Sequence, residues 1–173
     1  MIRKGNDCNF VLKELSHLLE QKEDCKDNEC KITDLESTFI FKTEKSAKAK
    51  NLLKSLRKSQ KHCDCIIFKR AGKQCLIIII EILCGTLTQK GLKNKTKQIM
   101  VWKEVVEEIF LKRQNILGFI CYQKADYTTF GDRASFKKKK IALMDKNICL
   151  AVFKKVKGKS YHIGLRTLLA SYA

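Results

Sequence analysis

The sequence predicts an α/β fold, a mixed β-sheet flanked by helices, and three observations carry that expectation. Two β-prone runs, residues 63–69 and 74–83, flank Arg70-Ala71-Gly72-Lys73, a turn sequence that joins them as a hairpin. The second run is apolar on both faces, the pattern of a central strand covered on either side. An amphipathic stretch at 96–113 follows, with further β-prone runs at 116–122 and 148–153. Two helices, two strands, a helix and a strand in that order describe a mixed sheet with helices laid on it.

Taken from the start, residues 10–20 set Val11, Leu12, Leu15, Leu18 and Leu19 at helical spacing, with Lys13, His17 and Glu20 sharing another side. Residues 21–31 are polar and read as a loop. Thr33-Asp34-Leu35-Glu36 has the form of a capping box and predicts a short helix. Residues 46–59 read as a lysine-studded helix with Ala49, Leu52, Leu53 and Leu56 facing inward. After the hairpin, 85–94 reads as a loop, and the helix at 96–113 buries Ile99, Trp102, Val106, Ile109 and Phe110. Lys157-Gly158-Lys159 marks a turn, and 163–172 reads as helical. With no internal repeat, residues 1–173 read as one domain: a mainly helical part at 1–60, a sheet core at 61–156 and a closing helical segment at 160–173.

A hydrophobic fraction of 45% supplies an ordinary core and argues against disorder. The balance of 36 Lys and Arg against 18 Asp and Glu, a net charge of +18, favours a polyanionic partner. No stretch approaches the ~20 apolar residues of a membrane span, and residues 1–7 hold nothing resembling a signal peptide. Nine cysteines, an odd number without such a signal, predict mostly free thiols in a reducing compartment. Cys25 and Cys30, with Cys63 and Cys65 as a second pair, give only a weak zinc spacing, so buried or surface thiols are expected instead.

Glu81 lies in the most hydrophobic stretch of the chain, where a carboxylate is costly unless a metal ion or a fixed cation neutralises it. With Ala71-Gly72 as the loop, Asp64 lies opposite Ile79 and Glu81 is its diagonal neighbour on the same face. That shared face survives any even change in loop length and fails for an odd one. Two such carboxylates suit Mg²⁺ or Mn²⁺. A solvated Asp64 and a Glu81 paired with one of many lysines is the competing structural reading.

An Asp on one strand followed by Glu-x-Lys on the next resembles the core of the PD-(D/E)XK nuclease superfamily, except that Leu83 stands where the lysine belongs. A lysine moved onto the following helix is similar to the cap-snatching endonucleases at the N-terminus of arenaviral and hantaviral L polymerases. Leu12-Lys13-Glu14-Leu15-Ser16 with Glu20, Cys25, Asn28 and Cys30 resembles the arenaviral first-helix motif. The run from Gln74 to Glu81 resembles the family's apolar strand ending in its central glutamate, and Lys90-Gly91-Leu92-Lys93-Asn94-Lys95 its hantaviral lysine stretch. The last residues, from Leu165, resemble the helix that closes the arenaviral domain.

The resemblance implies a PD-(D/E)XK-like fold and a metal-dependent RNA endonuclease that cuts capped host messages into primers. It implies that Asp64, Glu81 and Glu20 hold one or two Mn²⁺ or Mg²⁺ ions, with the Ile82 carbonyl completing the shell. Lys95, or else Lys93 or Lys97, is then the catalytic lysine, and His17 an alternative ligand. Lys93, Lys97 and Lys103, with Lys137, Lys138, Lys139 and Lys140 and the basic run at 154–159, are expected contacts to RNA, a merely solvated basic surface being the competing reading for any single lysine of the last two runs. The implied partner is the rest of the polymerase, the domain alone being monomeric and free of membrane, in host cytoplasm and virion. A DNA-directed nuclease of the same superfamily and an inactive nucleic-acid-binding module with this fold are the alternatives.

Overall fold

The computed structural model describes residues 8–72, 74–110 and 115–172. Its elements run α1 (Cys8–Leu18), β1 (Glu20–Lys22), β2 (Cys25–Asp27), β3 (Cys30–Thr33), β4 (Thr38–Lys42) and α2 (Ala47–Ser55). There follow β5 (Cys65–Ala71), β6 (Gln74–Leu87), α3 (Gln89–Ile109), β7 (Asn115–Ala125) and a 3-10 turn at Tyr127–Phe130. The chain continues through α4 (Arg133–Met144), β8 (Ile148–Val152), β9 (Lys154–Lys155), β10 (Tyr161–Gly164) and α5 (Leu165–Ala170). An α/β chain with mixed sheet and flanking helices is what the periodicities anticipated.

Alternation along β6 sorts the molecule into layers. Ile77 and Ile79 point to one side, where they meet Leu15 of α1, Leu53 of α2, Ile99 and Trp102 of α3 and Phe136 of α4. Ile78, Ile80 and Ile82 point to the other, against Ile32 of β3, Ile163 of β10 and Leu168 of α5. The six-stranded sheet has the order β1-β4-β5-β6-β7-β8. It is antiparallel from β1 to β6 and parallel from β6 to β8. A second, four-stranded sheet of order β2-β3-β10-β9 covers the face away from the main helices. β6 is therefore buried on both faces, which is why its sequence reads as an unbroken apolar run.

Several local expectations are corrected. Residues 21–31, read as a loop, carry β1, β2 and the start of β3. The capping box at 33–36 starts no helix: Asp34 and Ser37 take positive φ of 57° and 58°, and the chain turns from β3 into β4. The part expected to be mainly helical, 1–60, thus contributes four strands besides α1 and α2. The loop expected at 85–94 shrinks to Thr88, which caps α3 by accepting from the Gly91 N–H. β6 runs on before it, and α3 begins seven residues ahead of the expected position 96; its expected end at 111–113 lies outside the described residues. The closing segment begins as a strand, β10, before α5.

The expectation of mostly free thiols is also corrected. Disulfides join Cys8 to Cys75, Cys25 to Cys65 and Cys30 to Cys84, with Cα separations of 5.4, 5.9 and 5.7 Å. Cys63, Cys121 and Cys149 are free and buried. The weakly zinc-like pair Cys25 and Cys30 is spent on bonds to β5 and β6. Among the described residues, no helix is long and apolar enough to cross a membrane.

Candidate active site

The hairpin register decides where the acids meet. Ala71 pairs with Gln74, so the loop starts at Gly72, whose φ of +62° suits the first position of a tight hairpin turn. Each pairing is displaced by two from the expected one, an even change. Cys65 lies across from Ile80, and the same register carried one residue on sets Asp64 directly opposite Glu81. The face is the expected one, and the contact is closer than a diagonal.

β5 leaves the ladder at this point while β6 continues. The Asp64 N–H donates to the Ile80 carbonyl at 3.1 Å, and Asp64 Oδ2 accepts from the Ile82 N–H at 2.6 Å. The carboxylate thus satisfies the strand donor that the departing strand leaves unpaired, and its orientation is fixed by backbone. Lys22 of β1 donates to the Asp64 carbonyl at 3.0 Å. From α3, Lys95 Nζ donates to Glu81 Oε2 at 2.7 Å and lies 3.9 Å from Asp64 Oδ2. Of the three candidate lysines, Lys95 is the one that reaches the acids.

Asp64, Glu81 and Lys95 line a cavity of about 320 Å³ together with Glu44, Gln60, Lys61, His62, Cys63 and Gln98. Glu81 is 1% exposed. Among the described residues, neither its Oε1 nor His62 Nδ1, both buried, has a hydrogen-bond partner. Burial raises Glu81 to about 9, against the pull of Lys95, and the neighbouring charge of Asp64 adds to the rise. Asp64 is also raised, chiefly by burial, with the Ile82 N–H and Lys95 opposing and Asp27 reinforcing. Burial lowers Lys95, but Glu81, Asp64 and Asp27 outweigh it and the ammonium is held above its ordinary value. Lys95 thus stands between a buried Glu81 and a half-buried Asp64, and Lys61 lines the same cavity.

The other candidates are elsewhere. Glu20 starts β1 across from Lys42, on the face that Ile40 shares, toward the small sheet; it does not line the acid cavity. The chain has already left α1 at Leu18, so the expected helical position does not exist. His17 is an exposed residue in the last turn of α1. Lys93 and Lys97 face α4 on the far flank of α3 and line a separate furrow. Lys103 donates to the Lys146 carbonyl at 3.3 Å, tying α3 to the end of α4. Lys137 and Lys138 are exposed on α4 outside that furrow, and the basic run at 154–159 spans β9 and the turn after it.

Sequence reading missed Asp27, Lys22, Gln98 and His62. Gln98 and His62 carried a usable signal: one stands a helical turn after Lys95, the other two residues before Asp64. Asp27 and Lys22 sit in strands too short to be seen.

Carboxylate oxygens are ligand atoms of the kind a hard divalent cation takes. Two carboxylates, one with an unpartnered buried oxygen, and space for water match the sparse protein coordination Mg²⁺ and Mn²⁺ accept. Among the described residues, no group of three or more His, Cys, Asp and Glu is arranged to hold a metal by itself. No protein-family model, no curated protein and no solved structure matches this chain.

Proposed function

We propose that this chain is a divalent-metal-dependent RNA endonuclease with a PD-(D/E)XK-like site, the cap-snatching domain at the head of a segmented negative-strand virus L polymerase. The observation that carries the reading is the convergence of Asp64, Glu81 and a lysine from the next helix, Lys95. Leu83, at the usual lysine position, is packed against the helix-side core, and Lys95 supplies the cation in its place.

Asp64 and Glu81 would hold one or two Mn²⁺ or Mg²⁺ ions, which when bound supply an acidified water and neutralise charge on phosphoryl oxygens. The Ile82 N–H keeps Asp64 aimed along the edge that β5 vacates. Glu81 offers Oε1 while Oε2 holds Lys95. Lys95 would then balance the negative charge that grows on the phosphate in the transition state. The charge of +18 draws a polyanion to this surface. In this reading the substrate is single-stranded capped RNA and the partner is the remaining polymerase chain.

The test is cleavage of labelled single-stranded RNA and DNA with and without Mn²⁺. Cutting of RNA that needs the metal, vanishes in Asp64→Ala and Glu81→Ala, and falls ~10²–10³-fold in Lys95→Ala is expected. Undiminished cutting by the acid variants would remove the proposed site. Preference for DNA would favour the DNA-directed relative, and binding without metal-dependent cutting an inactive nucleic-acid module.

A further inference from the structure

A second basic feature lies on the flank of α3 away from Lys95. Residues two before and two after a helical position project to nearly the opposite side, so Lys93 and Lys97 turn from the acids toward α4. There they meet Lys139 and Lys146 around a furrow of about 330 Å³ floored by Leu92, Ala142 and Leu143. A neighbouring cavity shares Gln89 and Lys93 and adds Lys90, extending the furrow around the start of α3. No carboxylate lines either cavity. Leu92 and Leu143 are buried, while the four lysine side chains reach solvent, their stems covering the floor and their ammonium groups forming the rim.

We propose that this α3–α4 furrow is a second binding subsite for single-stranded nucleic acid, engaging the strand several nucleotides from the bond that is cut. The inference rests on the nuclease reading for the identity of the polyanion. Lys93 and Lys97 stand one turn apart, roughly 6 Å along the helix, a spacing at which ammonium groups accompany a phosphate chain. The apolar floor takes ribose and base faces, and the extension past Lys90 leads around the start of α3. A helix is ~10–12 Å across, so at the ~3.4 Å stacked spacing a strand crosses α3 in about three or four nucleotides. Neither pairing nor sequence is read here. The furrow holds the strand while Asp64, Glu81 and Lys95 act on it.

The experiment measures binding of fluorescent single-stranded RNA by the whole chain in EDTA, where no metal-dependent step contributes. Replacing Lys93, Lys97, Lys139 and Lys146 with Gln is compared with a charge-matched control, Gln at the exposed Lys45, Lys48, Lys50 and Lys54. The furrow variant is expected to lose at least ~10-fold in affinity and about 0.7 of log–log salt slope per phosphate contact removed. The control is expected to lose much less, and both are expected to melt like the parent. Equal losses in both variants, or none in the furrow variant, would overturn the subsite. So would a labelled poly-glutamate whose binding is lost in the furrow variant while RNA binding persists, since that marks a site for an acidic protein segment. Failure of Mn²⁺-dependent cleavage would count against the nuclease alone; the furrow stands or falls on binding in EDTA.

Discussion

Glu81 sits at the centre of a sheet, where a carboxylate either meets enough positive charge to ionise or keeps its proton. Lys95 supplies one cation, Asp64 competes for it, and burial holds Glu81 up to about 9. In the unfolded chain the same group ionises near 4.5. Between those values the folded state binds the extra proton, so this group's contribution to stability falls as pH rises through that window. Glu81→Gln removes the penalty. In EDTA its melting temperature is expected to exceed the parent's by a margin that widens from pH 4.5 towards 9 and closes below 4.5. Mn²⁺ should reverse the ranking by stabilising the parent, more strongly at higher pH because binding must displace the proton. Thermal melts across pH, with and without Mn²⁺, check both parts; a margin independent of pH would contradict the assignment of that proton.

At the scale of elements, Lys95 reaches Glu81 because α3 seats closely on the sheet. Gly118 of β7 allows this: a Cβ there would stand 2.8 Å from Ile99 Cγ2 and 3.2 Å from Ile148 Cγ1. Ile99 lies one turn after Lys95, so anything that lifts it tilts the lysine as well. Gly118→Ala is expected to cost about 1–3 kcal/mol in urea unfolding and to weaken cleavage more than RNA binding; an unchanged unfolding midpoint would show that α3 has slack. The same elements show what the sequence could disclose. β6, β7 and α3 were legible because long runs repeat their own period, and the acid pair survived a misplaced turn because the slip was even. β1, β2 and β3 were not: with three, three and four residues they show too little alternation. They become strands by distant pairing, as when Cys30 meets Tyr161. Glu20 was misplaced for that reason, since its position depended on whether α1 continued. Lys95 was singled out through resemblance and not through periodicity, because the start of α3 was hidden behind the long reach of β6.

For the whole molecule, the question is what keeps a small sheet of two- to four-residue strands on the central one. Its apolar face contributes Ile32 and Ile163 to the shared core, a modest area. Two disulfides add to it: Cys25 ties β2 to Cys65 on β5, and Cys30 ties β3 to Cys84 on β6. The third, Cys8 to Cys75, fixes α1 to the start of β6. These bonds close separations of 67, 40 and 54 residues, for which chain-entropy reasoning assigns roughly 3–5 kcal/mol each. Denatured without reductant, the chain is expected to present three reactive thiols, Cys63, Cys121 and Cys149, and nine after reduction. Reductant should lower the unfolding midpoint and loosen β2 and β3 first, because short strands hold little on their own. The acid site would register the change, since Cys65 adjoins Asp64 and Asp27 of β2 contributes to the field on Asp64 and Lys95. Hydrogen exchange with and without reductant should therefore show β2 and β3 losing protection before β6, together with weaker Mn²⁺ stabilisation. Nine reactive thiols without reductant, or loss of protection spread evenly over both sheets, would mean that packing alone holds the small sheet in place.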